Sequence, residues 1–421
     1  MDSPQAVITA YPELDRDCDG DLTVMKSSET TLSLCMILRD EELNLPISLG
    51  PIHGLFDEVV VVDTGSKDRT RELARSYGAK VIEATWNDDF SKARNLSIKE
   101  SSGGWLFWLD GDNRIQPDDV ETIRHCLDDK GEKILWCNEV VEPSGEQLMQ
   151  KRVFPNRPEV YFEGRVHEQL IHPNHYESVI TPVKILHWGY ADKAKAREKG
   201  ERNIRLLMDM VKKQPADLYL CYQIGKTLFN LRQFEGALLW LKRAAKLQSQ
   251  KHQNLGLYLH AHILKAQTLE RLGLFQKAED CLRGLIKSYP DYGPGHFYLG
   301  RFLFTQSDAK AASICFQTFL KLGANDPITG LNHSHLTFMA ALLLGRCHET
   351  LNNPQDAITA YHMAAETNPA NPEPSLALAK IFLSQDRPKL ALNYTRRNLK
   401  LNPGNRRGAE LLKQITGNAE A

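Results

Sequence analysis

No stretch of this chain reaches the roughly 20 consecutive apolar residues that a membrane-spanning helix needs, and its amino terminus lacks a charged-then-apolar signal pattern. No charge of either sign dominates: 52 Lys and Arg stand against 53 Asp and Glu, a formal net charge of −1, so no global field recruits nucleic acid or an acidic membrane. The eight cysteines, Cys18, Cys35, Cys126, Cys137, Cys221, Cys281, Cys315 and Cys347, have no paired short spacings. That pattern suits a reducing compartment. The expectation is a soluble, cytoplasmic protein that binds its ligands through local groups. At 421 residues and 42% hydrophobic it has material for two cores.

What is present begins with Trp105-Leu106-Phe107-Trp108-Leu109-Asp110-Gly111-Asp112, an apolar run of strand length that stops on two carboxylates. Strands of an open α/β sheet carry ligands just past their carboxyl ends. Two Asp residues there offer hard oxygens to Mg²⁺ or Mn²⁺, and Gly111 is expected to let the chain bend; an ordinary surface turn would read the same way. Upstream, Glu58 to Val62 is a second apolar run, ending on Asp63 and followed by Thr64-Gly65-Ser66 and a polar helix-like stretch from Lys67 to Tyr77. Gly65 supplies a turn and Ser66 a helix N-cap whose free N–H groups suit an anion or a nucleoside. Leu32 to Leu38 reads as a first strand with the charged loop Arg39 to Glu42 after it; Lys80 to Glu83 is a further short strand, and a helix begins within Asp88 to Asn95. This alternation argues for a mostly parallel α/β sheet with its acids at one edge.

Four ordered motifs, Ser33-Leu34-Cys35-Met36-Ile37, Val62-Asp63-Thr64-Gly65-Ser66, Asp89-Phe90-Ser91-Lys92-Ala93-Arg94-Asn95 and Trp108-Leu109-Asp110-Gly111-Asp112, resemble the inverting family 2 glycosyltransferases of the GT-A fold over roughly residues 30–190. The resemblance implies that Cys35, Met36, Arg39, Asp63, Gly65 and Ser66 border base and ribose. It further implies that Arg94 and Asn95 lie near the nucleotide, and that Asp110, Gly111 and Asp112 address ribose and metal. Thr64 stands where many members have a second Asp, which weakens the preference for uridine over guanosine. The segment Tyr161 to Gln169 holds acid, base and cation together, and Ile185-Leu186-His187-Trp188 ends a short apolar run on a histidine. Glu168 is the candidate general base, because burial beside a metal pocket tunes a carboxylate upward; Glu163 is its rival, and His167 is a candidate to orient Glu168. The resemblance makes His187 a third metal ligand with Asp110 and Asp112, against the alternative of a structural histidine.

From Leu218 onward helical periodicity takes over. Small residues recur twelve apart as Gly225 and Ala237, Ala266 and Ala278, Gly300 and Ala312, Gly345 and Ala357, and Ala379 and Ala391, with Pro290, Pro369 and Pro403 as stops. These units resemble tetratricopeptide repeats of about 34 residues. The expected organisation is a flexible acidic extension (1–29), a GT-A domain (30–190), a connecting helix (191–216) and about five repeats (217–415), with lengthened loops at Gln248–Leu255 and Leu322–Ser334. Proteins combining these two domains resemble the peptide S-/O-glycosyltransferases of the sublancin type. The resemblance implies a metal-dependent inverting transfer, with Mn²⁺ or Mg²⁺, from a nucleotide sugar, UDP-sugar favoured, to a peptide or protein Ser, Thr or Cys recruited by the repeats. A polysaccharide or lipid-linked glycan acceptor and a non-catalytic scaffold are the alternatives. A homodimer through the repeats is a further expectation.

Overall fold

The computed structural model describes residues 30–127, 132–142, 146–188, 193–247, 254–323 and 333–417, and the expected acidic extension at 1–29 lies outside them. The chain divides after Ala216 into two compact units.

In the first unit the elements are β1 (Leu32–Leu38), α1 (Leu45–Ser48), β2 (Glu58–Asp63), α2 (Thr70–Ser76), β3 (Lys80–Glu83), α3 (Phe90–Lys99), β4 (Trp105–Asp110), β5 (Asn113–Arg114), α4 (Pro117–Cys126), β6 (Lys133–Val141), β7 (Glu146–Pro155), β8 (Tyr161–Glu163), β9 (Gln169–Ile171), β10 (Glu177–His187) and α5 (Lys193–Lys213). Eight strands form one sheet in the order β3-β2-β1-β4-β7-β6-β10-β5, and β8 pairs with β9 apart from it. The first four are parallel, and β1, β2 and β4 have the nearly continuous apolar sequences of strands covered on both faces, with the short, half-exposed β3 at the edge. The other half is mixed: β7 runs antiparallel to β4 and β6, and β10 returns parallel to β6. A mostly parallel sheet therefore describes only its amino-terminal half. The β6–β7 hairpin pairs Leu135 with Val153 and Glu139 with Leu148, so a two-sided ladder extends the sheet beyond the alternating strand–helix segment.

Register carries the acids to one place. Leu38 pairs with Asp63, Asp63 with Glu83, and Ile37 with Asp110, so the carboxyl ends of β1 to β4 terminate together. Beneath them lie two cores, one built on Leu34, Met36, Val61, Phe107 and Leu109, the other on Cys35, Leu106, Trp108, Phe154 and Phe162. Cys35 and Met36 are thus packed on opposite faces of the sheet, at 2% and 1% exposure, and not at the nucleotide edge where the family pattern put them. Alternation of side chains along a strand forces that outcome.

The second unit consists of helix pairs: α6 (Leu218–Asn230) with α7 (Phe234–Lys246), α8 (Leu255–Arg271) with α9 (Phe275–Ser288), α10 (Gly293–Thr305) with α11 (Ala309–Leu322), α12 (His333–Thr350) with α13 (Pro354–Thr367), and α14 (Pro372–Ser384) with α15 (Pro388–Leu401), closed by α16 (Arg406–Thr416). The small residues sit where paired helices touch. A methyl on Gly225 would lie 2.7 Å from the Leu241 side chain, and one on Gly345 would lie 2.5 Å from the Tyr361 ring. Each pair turns on one residue of left-handed backbone, namely Arg232, Gly273, Ser307, Asn352 and Asp386. Gly273 to Ser307 and Asn352 to Asp386 are each 34 residues, the tetratricopeptide period. Most of both expected long loops, residues 248–253 and 324–332, lies outside the described residues. Among the described residues no helix is long and apolar enough to cross a membrane.

Candidate active site

The loops after β1 and β2 are stitched together. Backbone N–H groups of Asp40, Glu41 and Glu42 donate to Ser66 Oγ (3.0 Å), Thr70 Oγ1 (2.7 Å) and Asp68 Oδ2 (3.0 Å), and Lys67 N–H returns to Asp40 Oδ1 (2.7 Å). Asp63 is spent on its own turn: Oδ1 accepts from the N–H groups of Gly65 (3.1 Å) and Ser66 (3.0 Å), and Oδ2 from the Ser66 hydroxyl. Gly65, at φ +104°, holds the left-handed position that a side chain would strain. Ser66 therefore bridges Asp63 to the Asp40 backbone and does not cap the helix, which begins only at Thr70 with Asp68 accepting from the Thr70 N–H at 3.0 Å. Beside this turn lies a cleft of about 560 Å³ lined by Arg39, Asp63, Thr64, Gly65, Arg71, Glu83, Ala84, Thr85 and Trp86. That size falls in the range of small-molecule sites.

The second part is centred on Arg94. Asp89 caps α3, accepting from Lys92 N–H at 3.1 Å, and thereby aims the first helical turn. One turn on, buried Arg94 donates through Nη2 to Asp110 Oδ1 (2.9 Å) and through Nε to Glu168 Oε1 (2.5 Å). Its guanidinium lies 3.9 Å from the centre of a Trp108 ring, and that of Arg152 lies 3.7 Å from it. Two cations that close to one ring must occupy opposite faces, so the indole separates them while its quadrupole attracts both. Arg152, itself 1% exposed, pairs with Glu139 and donates to Asn113 Oδ1 (3.1 Å). Burial works against the charge on Asp110, but Arg94, then Arg152, outweigh it and hold the carboxyl below its ordinary range. Asp110 stays anionic at neutral pH.

The third part lies past β4. Asn113 Oδ1 accepts from Asp110 N–H (3.0 Å), which fixes the amide so that Nδ2 faces His187 Nδ1 at 3.0 Å. Asp112 Oδ1 is 3.4 Å from the same ring nitrogen, and Asp112 Oδ2 is 3.4 Å from Lys199 Nζ on α5. With Nδ1 accepting from Asn113, His187 could ligate a metal only through Nε2. Asp110 is committed to Arg94, and among the described residues no group of three or more His, Cys, Asp or Glu is arranged to hold a metal. Asp112 lies on the Nδ1 side of the ring and away from Nε2, so as arranged the two side chains do not converge on one cation, and a metal held at Asp112 would draw most of its ligands from phosphates and water.

Of the sequence candidates, the structure brings together Arg94, Asp110 and Glu168, and separately Asp112 and His187. It leaves Glu163 exposed on β8, paired across to Gln169. Asn95 has both ends of its amide on the Phe162 backbone, at 2.8 Å each, so it pins β8 to α3 and does not face the cleft. Arg94 holds Glu168 in place through its Nε–H. Gly111 does not make a left-handed bend; a methyl there would strike Glu41 Cγ at 2.7 Å, so the glycine makes room for that side chain. Glu41 was read only as part of a charged loop. Burial chiefly, and then Asp112 and Asp110 against the opposing Asn44 and Lys199, push its carboxyl up to about 6. α5, expected as a connector, belongs to the first unit and reaches the site through Lys199, and Arg205 pairs with Asp88 at 3.2 Å.

The first unit is a mixed α/β sheet domain with a cleft at the ends of its parallel strands and a buried arginine clamping two carboxylates. Residues 33–184 match the family model Glycosyl transferase family 2, and residues 218–251 and 263–327 match tetratricopeptide repeat models. The chain joins a family 2 glycosyl transferase domain to tetratricopeptide repeats. It is 35% identical over 229 residues to a TPR repeat-containing protein of Synechococcus elongatus, covering 51% of this chain and 56% of the relative. It is 25% identical over 240 residues to the SPbeta prophage-derived glycosyltransferase SunS of Bacillus subtilis, covering 54% and 57%. The chain therefore spans about half the length of the curated relatives it matches.

Proposed function

We propose that the first unit transfers a sugar with inversion from a nucleotide-sugar donor, a UDP-sugar by preference, to a Ser, Thr or Cys side chain of a peptide or protein that the repeats engage. The observation that carries this reading is the Arg94 clamp, which holds Asp110 and Glu168 on one guanidinium past the ends of the parallel strands. The glycosyltransferase relative and the repeat units support the class of donor and of acceptor.

In this reading the base and ribose occupy the cleft between Arg39 and Trp86, with Asp63 and Asp110 at the strand ends. Glu168 takes the proton from the acceptor O–H or S–H as the acceptor atom bonds to the anomeric carbon, and the electrons of the breaking C–O bond leave with the diphosphate. Arg94 fixes Glu168 in place, and the Trp108 stack keeps Arg94 from moving. A Mn²⁺ or Mg²⁺ held at Asp112 would supply positive charge to the departing diphosphate. The seven described cysteines are free thiols, which agrees with a cytoplasmic setting.

The test is a calorimetric titration of UDP and of GDP into the full chain with and without Mn²⁺, followed by nucleotide-sugar turnover with a Ser-, Thr- or Cys-containing peptide. Metal should strengthen binding of one nucleotide by about tenfold or more, and Asp112→Asn should remove that gain. Equal affinity with and without metal sinks the metal assignment, and absence of binding by either nucleotide sinks the transferase reading.

A further inference from the structure

We propose that α5 is the cationic wall of the donor site and that Arg202 and Lys199 bind the diphosphate of the nucleotide sugar. This rests on the glycosyl-transfer reading and assigns to it a phosphate subsite outside the matched family segment, which ends at residue 184.

Lys199, Arg202 and Arg205 follow one another at intervals of three and so share one face of the helix. That face runs along the acids. Lys199 Nζ is 3.4 Å from Asp112 Oδ2 at one end. Arg202 lies 5.0 Å from the centre of the Phe90 ring, whose edge-to-face partner at 4.8 Å is Trp86, a wall of the nucleoside-sized cleft. Arg205 is held by Asp88 at 3.2 Å. A donor with its base in the cleft and its leaving oxygen near Asp112 must lay its diphosphate across the interval between these points, where Arg202 and Lys199 stand.

Arg202 is the least settled of the three. Among the described residues its solvent-shielded Nε has no hydrogen-bond partner, and its side chain makes one long bond, 3.4 Å, from Nη2 to neighbouring Asn203. Burial, with Arg39 and Arg205 acting against Glu198 and Asp88, lowers its proton affinity. A guanidinium stacked on an aromatic ring, with donors to spare, is matched by a multivalent anion that bonds it bidentately. Lys199 is currently turned to Asp112. A cation arriving on the donor would take over Asp112 and release the ammonium to the phosphate oxygens.

The experiment titrates UDP, GDP, uridine and guanosine with Mn²⁺ into the full-length protein and into Arg202→Gln, Arg202→Lys and Lys199→Gln. Arg202→Gln should weaken the preferred diphosphate about tenfold, the order expected for a charge-assisted bond, and leave the parent nucleoside unchanged. Arg202→Lys should recover part of the loss, and Lys199→Gln, at a half-exposed side chain that the fold tolerates, should weaken the diphosphate alone. The proposal is overturned by variants that bind the diphosphate as the parent protein does, or that lose nucleoside and diphosphate equally. A parent protein that binds none of the four ligands would overturn the transferase reading and this subsite with it, an outcome distinct from insensitivity of the variants.

Discussion

Around Trp108 the first unit buries two arginines with the carboxylates of Asp110, Glu139 and Glu168, whereas the repeat unit reaches similar compactness with small residues set against rings and leucines. Among the described residues every buried Asp, Glu and Arg lies in the first unit; the buried polar residues of the second are His, Ser, Thr and Asn. A stack of paired helices satisfies its backbone internally and needs only close approach, so neutral packing suffices. Under the proposed transfer, a site that grips a dianionic leaving group needs fixed charge, and fixed buried charge must be paired before the ligand comes. The difference teaches where each unit is fragile: the first breaks by orphaning an ion, the second by altering shape or protonating a buried base.

The largest expected effect is the loss of Arg152. Arg152→Ala strips Glu139 of its partner and one face of Trp108 of its cation, and should cost about 3–5 kcal/mol of stability. Hydrogen exchange should show the loss of protection in β4, β6 and β7 with the helix pairs unaffected. Exchange rising equally in both units would mean that the contrast between them is false.

Next is Glu168→Gln, expected to lower turnover by about 10²-fold, near 2.7 kcal/mol of barrier, with nucleotide affinity retained. Exposed Glu163→Gln should be nearly silent, and the reverse ranking would move the base to Glu163. With a thiol acceptor the Glu168 effect should shrink, because a cysteine ionises near neutral pH unaided.

The contrast also explains what could be read from the chain. Repeats announce themselves because their constraints are local: Gly300 and Ala312 are one pair apart, and a twelve-residue spacing suffices to see them. The site's partners are remote. Arg94 meets Glu168 across 74 positions, Lys199 meets Asp112 across 87, and no local period links them. Asp110 and Asp112 were legible because an apolar strand halts on them, but Asn95 sits in the same motif as Arg94, and only the fold reveals that its amide serves Phe162. Arg152 and Glu139 lie on strands that alternate weakly, which is why neither their network nor the β6–β7 hairpin was foreseen. Glu41 could have been found, since an acid three residues past a parallel strand end belongs to the same edge as Asp63.

Acid should separate the two units by about 2 kcal/mol. His260 is buried against the Tyr222 hydroxyl at 2.7 Å, and burial, with Lys226, lowers its pKa to about 3. The unfolded chain binds that proton near 6.5 and the folded one does not, so stability falls as pH drops below about 6.5 and continues to fall until about 3. At pH 5 that is about 2 kcal/mol from this residue, and His260→Gln should remove this share while leaving that of His262, whose pKa burial lowers to about 4. Asp110 carries the opposite linkage: its lowered pKa leaves the stability it contributes intact until the pH drops below its ordinary range near 4. Between pH 7 and 5 exchange should therefore rise in α6 and α8 before it rises in β1 and β4.

The smallest effect concerns the turns inside the helix pairs. Gly273 occupies one left-handed position, but Ser307 holds the equivalent place at φ +65°, where its Cβ crowds the backbone. Its side chain is exposed, so glycine there removes strain without opening a cavity. Glycine also gives the unfolded chain more freedom to lose, and the two terms oppose each other. Relief of the left-handed penalty, about 1–2 kcal/mol, exceeds the entropic loss of about 0.5–1 kcal/mol, so Ser307→Gly should stabilise the repeat unit by about 0.5 kcal/mol. Urea denaturation followed by helical circular dichroism would read this as a higher midpoint at unchanged slope. A lower midpoint would show that Ser307 is held by something other than backbone geometry, and that the repeat unit is not governed by shape alone.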